Sequence, residues 1–202
     1  MGISIITPPY CMKCSKPLED DIRELCQDCQ RKEHVFTRGV AAFSYSKAMK
    51  KSMYGFKYNN RREYGKYYSK VLWEKYSNTI LSWGADALIP VPLHRTRLRK
   101  RGYNQAQVLA RFLEKESGIM VDDTTLVRIK NTKPQKELSD KERNSNIESA
   151  FQIRSNDLKY KKVILVDDIY TTGATINECA KVLVGGGVEK VYFIAACIGN
   201  GF

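Results

Sequence analysis

The stretch from Val163 to Thr175 reads VILVDDIYTTGAT, and it decides how the rest of the chain is to be understood. Val163 to Val166 form a strand too apolar to face water on either side, as in a parallel sheet covered by helices. Two adjacent carboxylates, Asp167 and Asp168, follow at the sheet's C-terminal edge, where open α/β sheets bind ligands. Thr171, Thr172 and Thr175 then place hydroxyls around Gly173, and the chain turns straight into a helix N-terminus. The N–H groups and dipole of such a terminus favour a phosphate, and Gly173 lets the backbone approach it closely. Carboxylates beside a phosphate cradle suit a phosphorylated sugar, whose vicinal hydroxyls donate to them while Mg2+ screens the charge. The plainer alternative is an acidic strand end followed by an ordinary helix cap. A P-loop is excluded, because no Gly-Lys pair followed by Ser or Thr stands at this turn.

Working outward, a helix is expected from Ala174 to Val184, stopped by Gly185-Gly186-Gly187, with Val191–Ala196 as the next strand. Upstream, strands are expected at Val40–Tyr45, Asp86–Val91, Leu126–Ile129 and Ala150–Ile153. Helices are expected from Ser46 to about Lys57, over Arg62–Tyr76, and over Gly102–Ser117. This alternation predicts an α/β fold, a parallel sheet flanked by helices. Asn131–Ser149 is the longest polar stretch, and Ser139 with Glu142 forms a capping box that predicts a short helix over Asp140–Asn146. At 202 residues the chain suits one full domain and a small appendage, divided as 1–36 and 37–202.

The appendage is marked by cysteine. Cys11, Cys14, Cys26 and Cys29 form two pairs with two-residue spacing, separated by eleven residues. Such spacing lets each pair reach one ion and the two pairs complete a tetrahedral shell, so a structural Zn2+ knuckle is expected. A redox pair or packing cysteines are the alternatives. Ser15–Leu25 is too short for a core of its own, so the metal would supply its folding energy. His34 is expected to be a plain surface residue, and Cys179 and Cys197 to be small buried hydrophobes.

Net charge is +12, and the surplus is clustered. Lys47 to Lys75 holds nine Lys and Arg against two acids, and Arg95 to Arg101 holds five in seven positions. An anionic partner follows, phosphate ligands or nucleic acid, with a solvated face as the alternative. Eight aromatics between Tyr54 and Tyr76 interleave with cations, a pattern suited to single-stranded nucleic acid. The same helical spacing of Tyr64, Tyr67, Tyr68 and Trp73 also suits a core-facing stripe. The longest apolar run, Val191 to Ile198, is too short for a membrane span, and the first residues lack a secretory pattern. A cytoplasmic protein is expected.

Val163–Thr175 resembles the phosphoribosyl pyrophosphate (PRPP) motif of type I phosphoribosyltransferases. Three further blocks resemble the ComF/ComFC competence family: the four-cysteine knuckle, IPVPLHRTRLRKRGYNQA over Ile89–Ala106, and QKELSDKERNSN over Gln135–Asn146. The resemblance implies a type I phosphoribosyltransferase-like sheet behind a small zinc ribbon or knuckle. It further implies that Asp167 and Asp168 hold the ribose hydroxyls, directly or through Mg2+, and that Thr171, Thr172, Gly173, Ala174 and Thr175 wrap the 5′-phosphate. Leu93, His94 and Arg95 match the pyrophosphate loop, and Lys136–Asn146 the hood that closes over such sites. Asp167, Asp168 and Arg143 are the catalytic candidates, and Arg97, Arg99, Lys100 and Arg101 the candidate nucleic-acid contacts.

Thr171 stands where purine-salvage members carry an acid, which disfavours a purine acceptor, and no Cys follows the initiator Met as a glutaminase nucleophile. The implied function is a competence protein that binds PRPP and handles single-stranded DNA during uptake. It would work with a helicase-like partner, at the inner face of the membrane through its partners. An active transferase or a non-catalytic PRPP sensor is the alternative. On this reading, Asp168→Asn abolishes PRPP binding and leaves the fold stable.

Overall fold

The computed structural model describes residues 2–131, 147–154 and 158–199. Four parallel strands form the central sheet: β1 (Arg38–Ser44), β2 (Ala87–Pro90), β5 (Lys162–Tyr170) and β6 (Lys190–Ile198), in the order β1-β6-β5-β2. A separate antiparallel pair, β3 (Leu126–Arg128) and β4 (Phe151–Ile153), lies beside it. The helices are α1 (Gln27–Arg31), α2 (Lys47–Tyr58), α3 (Glu63–Ser82), α4 (Arg95–Arg101), α5 (Gln105–Ser117) and α6 (Ala174–Gly185).

Two cores sandwich the sheet, as continuous apolar strands require. Alternate residues of β5 point to opposite faces. Val163 and Leu165 pack with Ile176, Cys179 and Leu183 of α6 and with the four N-terminal cysteines. Ile164 and Val166 instead pack with α2, α3 and α5, among them Met53, Tyr68, Leu72 and Leu109. The N-terminal segment is hydrogen-bonded onto the sheet through Ile6 N to Ala42 O (2.8 Å) and Gly39 N to Lys13 O (2.8 Å). Cys179 and Cys197 are fully buried, as expected.

Gly39 is held by steric exclusion. A Cβ there would lie 2.1 Å from the ring of Phe193, which itself stacks on Tyr170 at 4.6 Å. Gly39→Ala is expected to cost about 2 kcal/mol or more, in the range of overpacked cores. Urea unfolding followed by fluorescence measures it.

Several boundaries differ from the sequence reading. β5 runs to Tyr170 rather than Val166, because Asp167, Ile169 and Tyr170 pair with Ala195, Cys197 and Ile198 of β6. The helix expected over Gly102–Ser117 is α5, which starts later, at Gln105, and α4 precedes it over Arg95–Arg101, where the sequence pattern announces no helix. Gly102 (φ 79°) closes α4, and Asn104 caps α5 by accepting from Ala106 N. α3 extends to Ser82, since Ile80 continues the buried face of Tyr68, Leu72 and Tyr76. The aromatic stripe is divided: Tyr68 is core, while Tyr67, Tyr54 and Tyr58 are exposed. His34 is not a plain surface residue. It is half-buried and stacks on Phe36 at 4.7 Å, and burial followed by the charges of Lys13 and Lys32 pulls its pKa to about 4. The expected helix over Asp140–Asn146, the hood over Lys136–Asn146, and Arg143 lie outside the described residues.

Candidate sugar-phosphate site and cysteine centre

Adjacent positions on a strand face opposite ways, so the two carboxylates are divided between the two cores. Asp168 turns toward α2, where its Oδ2 lies 2.7 Å from Nζ of Lys57. Burial alone would lower the Lys57 pKa, but the charge and hydrogen bond of Asp168 more than offset it and the ammonium is held above its ordinary value. Asp167 turns toward α6 and accepts from Asp168 N through Oδ1 at 2.8 Å. Its carboxyl is pushed up to about 8, first by burial and then by the charge of Asp168. A carboxyl raised in this way stabilises the ligand-free fold fully below about pH 4 and loses that contribution as pH rises through about 8. Asp167→Asn is expected to remove this decline from a series of thermal melts between those limits.

The cradle follows directly. Gly173 adopts φ 78° and begins α6 with no side chain capping the helix. A Cβ there would sit 2.6 Å from the Tyr170 hydroxyl, so both conformation and space demand glycine. Asp167, Ile169, Tyr170, Thr171, Gly173, Ala174, Thr175 and Ile176 line a small pocket. Within this turn the Thr172 hydroxyl is buried without a hydrogen-bond partner among the described residues, as is that of Tyr170. A buried hydroxyl without a partner is costly. An uncapped helix start beside an unsatisfied donor fits a phosphate oxygen.

The turn after β2 brings the next residues to the same sheet edge. Leu93 and His94 are half-buried there, and His94 caps α4 by accepting from Thr96 N. Arg95, Arg99 and Lys100 are exposed. Arg101 is tied down, donating to Gln105 Oε1 at 3.0 Å and to the Tyr58 hydroxyl at 3.3 Å. Arg97 and Arg101 both act on the charge of Arg128, whose guanidinium is held over Phe151 at 5.3 Å. Burial first, then Arg97, lowers the Arg128 pKa to about 10, while Asp167 opposes the shift.

Lys57 and Arg128 are the site residues that sequence reasoning missed. Lys57 was one of nine cations in its stretch. Arg128 stood in an apolar strand pattern, where a lone inward Arg was the available signal. Next to α4, a groove of about 550 Å3 is lined by Arg62, Tyr103, Arg111, Phe112 and Lys115, with Arg62 stacked over Tyr103 at 4.5 Å.

The four N-terminal cysteines come together as expected, all buried, with their sulfurs within 4.8 Å of one another. Cys14 Sγ and Cys26 Sγ are 3.7 Å apart. A tetrahedral shell with bonds of about 2.3 Å separates sulfurs by roughly 3.8 Å, so the four thiolates fit one ion. Lys16 pairs with Asp28 at 2.5 Å beside the cluster.

Residues 74–200 match the phosphoribosyl transferase domain family. The chain is 32% identical over 188 residues to Competence protein F of Haemophilus influenzae, covering 91% of this chain and 82% of that protein. It is 28% identical over 196 residues to Competence protein ComFC of Bacillus subtilis, covering 90% and 74%. To the DNA utilization protein YhgH of Salmonella typhi it is 27% identical over 175 residues, covering 85% and 77%. Because the likeness to Competence protein F covers 91% of the chain and the domain match takes in the cradle and the last strands of the sheet, the chain belongs to the Competence protein F/ComFC family, with a phosphoribosyl transferase domain.

Proposed function

We propose that the protein binds PRPP at the edge formed by β5 and the α6 N-terminus and handles single-stranded DNA during DNA uptake. One observation carries the first half: the Thr171–Thr175 turn joins an uncapped helix start and the unpartnered Thr172 hydroxyl to the Asp167–Asp168 strand end. In this reading the turn takes the 5′-phosphate, the carboxylates accept from the ribose hydroxyls, and the Leu93–Arg95 turn receives the pyrophosphate. Mg2+, bound with PRPP, supplies charge neutralisation at the diphosphate. Zn2+ is the ion assigned to the cysteine centre, by the preference of four thiolates. Residues 1–36 then form a metal-organised unit docked on a domain of residues 37–202. A cytoplasmic setting and a helicase-like partner belong to the same reading.

The second half rests on the +12 charge, on the run of cations along α4, among them the exposed Arg95, Arg99 and Lys100, and on relatives named for competence and DNA utilization. Replacing Arg97, Arg99 and Arg101 together by Ala is expected to weaken single-strand binding and to flatten its salt dependence by about 2 log units per log unit of salt. Fluorescence anisotropy over a salt series measures the slope, and an unchanged slope moves the DNA surface elsewhere.

Calorimetric titration of PRPP with Mg2+, with and without bound single-stranded DNA, tests the whole. PRPP affinity altered by the DNA supports a PRPP-linked DNA handler. Pyrophosphate release during the titration identifies a transferase instead. The absence of any PRPP binding overturns the reading.

A further inference from the structure

α2 is pinned on both sides of its last cation. The Phe56 carbonyl accepts from the Tyr103 hydroxyl, and the Tyr58 hydroxyl accepts from Arg101 at 3.3 Å. Between these two fixed residues Lys57 reaches inward to Asp168, and the two side chains are only 18% and 13% exposed. A surface ion pair is a loose and weak contact. This one is enclosed, held by its neighbours, and set on the carboxylate that ends the central strand. Two other cations of the stretch pair elsewhere, Arg61 with Glu63 and Lys70 with Glu74, both on the surface.

We infer that Lys57 is a built-in counter-cation of the carboxylate strand end, standing at Asp168 where a divalent ion would otherwise bind and so keeping that carboxylate metal-free in the ligand-free protein. The chemistry is one of exclusion. Mg2+ or Mn2+ needs carboxylate oxygens at about 2.1 Å and nearly octahedral freedom around itself. The ammonium at 2.7 Å from Oδ2 occupies one of those approaches, and its positive charge repels a second cation at close range. Asp168 is therefore held in place without a metal, with its other oxygen left to accept from a hydroxyl of the ligand. Lys57 is on this account a positioning residue. Divalent cation would enter only with the diphosphate, which brings its own oxygen ligands.

The part of this inference that concerns sugar phosphate rests on the PRPP reading above, whereas the metal-binding part does not. The test uses the full-length protein loaded with Zn2+ at the cysteine centre. Mn2+ alone is titrated and followed by electron paramagnetic resonance. Wild type is expected to show no site that Asp168→Asn removes. Lys57→Met is expected to gain one Mn2+ site at least about tenfold tighter than any wild-type site, the size of effect an adjacent opposite charge has on a carboxylate. That site should vanish in the Lys57→Met/Asp168→Asn double variant, while Lys57→Arg should behave as wild type.

If Lys57→Met does not fold by thermal melting, Lys57→Gln, which keeps a hydrogen bond without the charge, carries the comparison. Equal Mn2+ binding by the neutral variant and wild type overturns the inference. In parallel, PRPP is titrated at low and high Mg2+. The neutral variant should lose at least about tenfold in affinity at low Mg2+ and recover at high Mg2+. A loss independent of Mg2+ also overturns it. Wild type that binds no PRPP at any Mg2+ sinks the PRPP reading alone, and the Mn2+ comparison still decides the role of Lys57.

Discussion

Stripping the metal from the Cys11–Cys14–Cys26–Cys29 centre is expected to unfold the N-terminal segment and to loosen the sheet face beneath it. Structural Zn2+ in small cysteine sites contributes an apparent 10–16 kcal/mol, on the order of a whole domain's net stability of about 5–15 kcal/mol. The four thiols are buried in one core with Phe36, Tyr170 and Phe193, so the loss does not stay local. Phe36 meets Tyr170 edge-on at 6.1 Å, and Tyr170 is the residue against which Gly173 packs. Metal removal should therefore lower the melting temperature and weaken phosphate binding together. Metal analysis by emission spectrometry, with melts and phosphate titrations before and after a strong chelator, measures both. Cys14→Ser should reproduce the effect, and a chelated protein that melts unchanged would remove the metal from the account.

Asp168→Asn is expected to abolish PRPP binding, a loss of at least about a hundredfold for a ligand deprived of its charged acceptor. The sequence alone suggested that this substitution spares the fold. Lys57 changes that expectation, since removing one partner of an enclosed ion pair strands the other. A stability loss of about 2 kcal/mol should accompany the binding loss, reduced from the fully buried case because both side chains retain some solvent contact. The double variant Lys57→Met/Asp168→Asn should recover stability and still fail to bind. Calorimetry for PRPP and urea unfolding for stability separate the two effects. A double variant that binds PRPP would show that Asp168 holds no part of the sugar.

The central strand–turn–helix was legible because its signals are local: four apolar residues, two acids, small hydroxyls and one glycine in thirteen positions. The cysteine pairs were legible for the same reason. What escaped was set by distance or by weak periodicity. Nothing near Lys57 in the chain announces a partner at position 168, and an ion pair across two elements leaves no spacing to read. α4 carries RTRLRKR with no buried residue, so an apolar pattern could not reveal it, although Gly102 and Asn104 do mark its end and the next start. The pair of carboxylates suggested that β5 stops before them, but main-chain pairing with β6 continues regardless of side-chain polarity. The separation of Asp167 and Asp168 onto opposite faces follows only once that continuation is known.

The strand order has a consequence for how the protein is made. β6 lies between β1 and β5, so Ser44 pairs with Ile198 across most of the chain. Until Lys190–Ile198 emerges from the ribosome, β1 and β5 lack their shared neighbour and each exposes an apolar edge. Such long-range pairing forms slowly, and its waiting intermediates are prone to aggregate. The nascent protein thus carries an open sheet for as long as it takes to make the residues between β1 and β6, and a ribosome stalled shortly before Lys190 would leave a chain that the cell must treat as misfolded.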